Sequence, residues 1–89
     1  MIATAMPARV EVWEVGAWEW RDEQAGKPLS ERQQEILALL ARGYSNGQIA
    51  RVLVLSPHTV HQHLKTIYAR LGVSCRAEAA ADAVRMGLL

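Results

Sequence analysis

Four serines punctuate residues 30–87, and each stands where a helix would begin. A serine at an N-cap accepts from a backbone N–H that has no partner inside its helix. Ser30-Glu31-Arg32-Gln33 and Ser45-Asn46-Gly47-Gln48 both read as capping boxes, in which the glutamine reaches back to the serine's own N–H. Ser56 is followed by Pro57, and a proline at the first helical position loses no hydrogen bond. Ser74 precedes an alanine-rich run that extends to Met86. Gly43, Gly72 and Gly87 stand where three of these helices should end. The fold class is therefore all-α, a bundle of four short helices.

The apolar positions support this division. Ile36, Leu37 and Leu40 form a stripe at helical spacing in the first helix. Ile49 and Leu53 form the buried face of the second, where the small Ala50 lets another helix cross closely. Val60, Leu64, Ile67 and Leu71 recur at spacings of four, three and four, which defines a core face on the third. The fourth offers a face of small residues, Ala79, Ala80, Ala83 and Val84. Such a face suits close contact within the domain or between two copies, so these four are candidates for a dimer interface. The second helix ends near Leu53 and the third starts at Ser56, a helix-turn-helix spacing. A chain of 89 residues with 51% hydrophobic content supports one small domain. Ala25-Gly26-Lys27-Pro28 marks its boundary, leaving a tryptophan-rich extension over 1–28 and the helical domain over 29–89.

Charge gives the first indication of a partner. The net charge is only +1, but residues 1–28 hold three basic and five acidic side chains, whereas 29–89 hold seven basic and four acidic. Between Glu35 and Glu78 there is no acid, only Arg42, Arg51, Lys65, Arg70, Arg76 and all three histidines. One-sided charge of this kind suits a polyanion. The face of the third helix opposite its core stripe carries His58, His61, Gln62, Lys65 and Ala69. Lysine and protonated histidine can donate to guanine in a major groove, and glutamine can match adenine. Ser56, His58 and Thr59 lie at the start of that helix, where free N–H groups favour phosphate.

Residues 29–89 resemble the LuxR-type (GerE-like, NarL/FixJ-like) helix-turn-helix DNA-binding family. The resemblance is carried by Leu29-Ser30-x-Arg32, Ile36-Leu37, Gly43-x-Ser45-Asn46-x-x-Ile49-Ala50, Leu53-x-Leu55-Ser56-x-x-Thr59-Val60-x-x-His63, Leu71-Gly72-Val73 and Arg76-Ala77-Glu78-Ala79. It implies a four-helix domain whose third helix, over 56–71, enters the major groove of double-stranded DNA. It also implies a homodimer with two-fold symmetry, often formed through the fourth helix. Base reading would fall to His61, Gln62 and Lys65, and phosphate contacts to Asn46, Thr59 and Arg76. Such a protein would be a cytoplasmic bacterial transcription regulator, with RNA polymerase or a regulatory protein as further candidate partners. Three departures stand out. Gln33 replaces a usual glutamate, Gly47 a common basic residue, and His61 a common lysine. Histidine at 61 should make DNA affinity depend on pH.

Other signals are weaker. His61 and His63 project about 200° apart on a helix, so no metal site is expected, and no cofactor. Cys75, the lone cysteine, excludes an intrachain disulfide; it reads as a buried or inert thiol suited to a reducing cytosol. No nucleophile–base pairing, phosphate loop or carboxylate pair is legible, so the chain does not read as an enzyme. No apolar run approaches the ~20 residues that span a bilayer, and the start of the chain lacks the form of a signal peptide.

Trp13, Trp18 and Trp20 all lie in the extension. A hairpin turning at Gly16-Ala17 puts Trp13, Val15, Trp18 and Trp20 on one face but sets Glu14 against Glu19. A helix aligns Val10, Trp13, Ala17 and Trp20 but is weakened by Gly16. The hairpin is the preferred reading. Either way the tryptophans should be covered, by the helical domain or by a partner subunit. The extension's negative charge could instead shield the basic face. Twenty-eight residues are too few for a receiver or ligand-sensing domain. A stand-alone regulator, a fragment of a longer one and a partner-controlled protein are all compatible with that. A rival reading is a protein–protein adaptor that kept the fold and lost DNA binding, with the tryptophan arm as its working surface.

Overall fold

The computed structural model describes residues 20–88. Four helices follow in order: α1 (Glu31–Ala41), α2 (Asn46–Leu53), α3 (Pro57–Leu71) and α4 (Arg76–Arg85). A helical stretch over 20–24 precedes them, and no strand occurs among the described residues. The expected hairpin falls outside the described residues except at Trp20, which is helical.

The serine caps form as their spacing requires. Ser30 Oγ accepts from the Gln33 N–H at 3.2 Å, and Gln33 Oε1 accepts from the Ser30 N–H at 2.9 Å. Ser45 and Gln48 repeat the pair at 3.2 and 2.8 Å. Ser56 Oγ accepts from the Thr59 N–H at 3.0 Å, with Pro57 opening α3. The fourth helix departs from this scheme. Its N-cap is Cys75, which makes no side-chain cap bond. Ser74 lies one residue outside, donating its N–H to Glu78 Oε1 at 2.9 Å. Cys75 is exposed at this position, not buried.

All four helices end in a left-handed closure. Backbone bonds from Tyr44 to Leu39, Leu55 to Ala50, Val73 to Tyr68 and Leu88 to Ala83 close them. Three of the closures pass through Gly43, Gly72 and Gly87, each at positive φ. The closure of α2 passes through Val54, at φ 57° and ψ 52°. A β-branched residue is sterically costly there, and Val54 is also 88% exposed. It lies in the turn between α2 and α3.

The core brings together Ile36, Leu37 and Leu40 of α1, Ile49 and Ala50 of α2, and Val60, Leu64 and Ile67 of α3. Leu71, the last residue of the predicted stripe, is only partly buried and packs against this cluster. Helix α1 packs against α4 and α3, and α2 against α3. Ala79 and Ala83 of α4 are wholly buried in the same cluster. These two of the four candidate interface residues are therefore used within the domain: having only a methyl group, they let α1 and α4 approach closely. Ala80 is half-buried and Val84 is 59% exposed.

Candidate nucleic-acid interface

Helix α3 crosses the surface with its core stripe inward, which turns His58, His61, Gln62 and Lys65 outward. All four are exposed. Gln62 Nε2 donates to His58 Nε2 at 3.4 Å, so these two neighbours one turn apart hold each other. No acid lies on α3. In its first turn Pro57 has no N–H and the Thr59 N–H is capped by Ser56, which leaves the His58 N–H to face outward; Ser56 and Thr59 add hydroxyls 2.8 Å apart. This end of the helix presents donors and partial positive charge together, as an anionic ligand requires.

The predicted phosphate-binding residues form two groups. Ser56, His58 and Thr59 stand at the start of α3. Asn46 and Arg76 stand at the starts of α2 and α4, and the fold joins them: Arg76 Nη1 donates to Asn46 Oδ1 at 3.2 Å. Arg76 Nη2 also donates to the carbonyl of Tyr44. Arg76 thus ties the N-terminus of α4 to the loop before α2. Its guanidinium is held in a fixed place, with part of its donor capacity spent inside the domain.

The C-terminal half of α3 behaves differently. Arg70 was not a candidate from sequence beyond its charge, yet it is the most connected side chain on the helix. Its Nε donates to Gln24 Oε1 at 2.8 Å, and its Nη1 donates to the Pro28 carbonyl at 3.0 Å and to Gln33 Oε1 at 2.9 Å. The Gly26 N–H donates to the Arg70 carbonyl at 3.0 Å. Arg21 Nη2 reaches the Val73 carbonyl at 3.4 Å. Residues 20–28 are thereby fastened along α3. Ala69, expected on the outward face, is only 2% exposed although it stands outside the core cluster. Trp20 lies over Lys65, whose ammonium is 5.9 Å from the ring centroid. Of these contacts, only the exposed tryptophan's need for cover was foreseeable from sequence.

His63 is half-buried beside the core stripe. Among the described residues no three histidine, cysteine or carboxylate side chains gather as metal ligands would. No helix among them is long and apolar enough to cross a membrane.

Comparison with known proteins agrees with this geometry. The model of the luxR family of bacterial regulatory proteins (GerE) matches residues 27–83. The HTH-type transcriptional regulator MalT of Yersinia pestis (strain Pestoides F) is 41% identical over 59 residues, which are 66% of this chain and 6% of that protein. YhjB of Escherichia coli (strain K12), provisionally named an HTH-type transcriptional regulator, is 52% identical over 54 residues, 61% of this chain and 27% of its own length. The shared segment is thus a small part of both relatives.

Proposed function

Given that the chain belongs to the luxR family of bacterial regulatory proteins, we propose that it is a sequence-specific, double-stranded-DNA-binding transcription regulator that acts in the cytoplasm as a two-fold dimer. One observation carries this reading. Beyond the turn after α2, helix α3 exposes His58, His61, Gln62 and Lys65 on a face without an acid. That face has the width and donor set to enter a major groove. Lys65 and His61 would address guanine, and Gln62 adenine. Ser56, His58 and Thr59 at the helix start, and Asn46 with Arg76, would hold phosphates and set the register. Residues 29–89 would be the DNA-binding unit, with 1–28 as an extension. Of the four candidate interface residues on α4, Val84 and, in part, Ala80 would be left to a second copy in the dimer.

Selection from a random duplex pool, with sequencing of what the protein retains, tests the proposal. A two-fold symmetric site that Lys65→Ala fails to enrich supports it. Failure to enrich any sequence at low salt would overturn it. Affinity for the selected site should fall steeply with salt, because phosphate contacts release counterions. An adaptor that bound a protein through apolar surface would not show that slope.

A further inference from the structure

The fastening of residues 20–28 along α3 bears directly on the proposed DNA-reading role of Lys65, and rests on it. Trp20 shares a cleft of about 420 Å³ with Arg21, Gln62, Lys65 and Thr66. Two of the three proposed base-reading side chains therefore open onto one tryptophan. Its position is set from behind by the bonds from Arg70 to Gln24, Pro28 and Gln33. The burial of Ala69, one turn beyond Lys65, falls on the same line.

We propose that Trp20 is an intramolecular competitor for the base-reading lysine: its indole holds the Lys65 ammonium, and duplex DNA must take the ammonium from it. An ammonium within ~6 Å of an indole centroid is attracted by the negative ring face. Lysine carries a single compact charge on a flexible stem, so it cannot face the ring and donate to guanine O6 and N7 at once. The stretch that carries Trp20 also holds Asp22 and Glu23, both exposed. Arg21 and Lys27 in the same stretch balance their charge, so the restraint rests on the ring and not on repulsion of phosphate. His61, in the N-terminal half, lies outside the cleft. The restraint thus acts on one part of the reading face and lowers affinity without blocking the rest. Trp20 is a positioning residue that works through Lys65.

Anisotropy titrations with the selected duplex test this in the full chain. Variants Trp20→Ala, Trp20→Leu and Trp20→Phe are each measured with and without Lys65→Ala. Loss of a cation–π contact at an exposed site should tighten binding roughly two- to fivefold in the alanine and leucine variants. Phenylalanine, which keeps a ring face, should give a smaller gain. In the Lys65→Ala background the gain should vanish, as coupled residues require. Unchanged or weaker binding in Trp20→Ala would overturn the proposal, as would the same gain without Lys65. Weaker binding would mark the tryptophan as a DNA contact instead.

A second readout needs no DNA. The Lys65 ε-methylene protons should show an upfield ring-current shift by NMR that Trp20→Leu removes; a position unaffected by the ring would also overturn the proposal. If the unaltered chain selects no duplex, the DNA-reading proposal falls and this one with it, whatever the lysine shift shows.

Discussion

The two halves of α3 have the same core stripe and the same helical geometry, yet they face outward onto different surroundings. In the first half, Ser56, His58 and His61 meet solvent or helix neighbours, and Gln62 stands at the boundary, bonded to His58 and lining the Trp20 cleft. In the second, Lys65 lies under Trp20, Ala69 is buried and Arg70 fastens the chain that leads into α1. The difference shows that one helix with one core stripe need not present a uniform outer face. One half supplies donors. The other anchors a preceding segment, and the boundary between them falls within the proposed base-reading set.

The largest effect on this contrast should come from Arg70→Ala. It deletes three hydrogen bonds of a charged group, two of them partly buried, and the domain should lose about 2–3 kcal/mol in denaturant unfolding. The Gly26 amide should exchange faster as the segment loosens. If stability and exchange are both unchanged, the two halves are not distinct in the way described. Lys65→Ala should do the reverse, leaving the melting temperature in place while weakening specific binding by about 1–3 kcal/mol. A parallel loss of stability would mean that the lysine is structural.

Val54→Gly sharpens the picture at the entrance to the open half. Relieving a left-handed valine in the turn before α3 should raise stability by about 0.5–1 kcal/mol, seen as a higher melting temperature. A lower melting temperature would show that the valine makes a compensating contact. The smallest effect concerns His61. His61→Ala should weaken binding to the selected duplex about twofold with the melting temperature unchanged, since the exposed imidazole supplies one hydrogen-bonding group of the outer face. Unchanged affinity would remove His61 from the base-reading set.

Much of the fold was legible because its signals are local. A serine and a glutamine three residues apart satisfy each other's backbone groups wherever they stand, so α1 and α2 begin where those pairs predict. The stripe of Val60, Leu64 and Ile67 needed only the helical period to be assigned inward, and this also turned His61, Gln62 and Lys65 outward. Local signals misled in one place and left a choice open in another. Ser74 gives its N–H to Glu78, leaving Cys75 as the N-cap. The small residues of α4 suited two kinds of helix contact, and spacing could not choose between them. Ala79 and Ala83 went to the contact within the domain.

Sequence by itself determined the helix starts, the inward stripe and the exposed, acid-free face of α3, since each follows from contacts within about four residues. The tertiary structure decided which polar groups that face can still offer. Arg70 meets Gln24 and Pro28, Arg76 meets Asn46, and Trp20 meets Lys65 across separations of 30 to 46 residues. A long cationic side chain reaches in many directions at similar cost. Its partner is therefore set by which chain segment packing brings alongside, and no local rule contains that information.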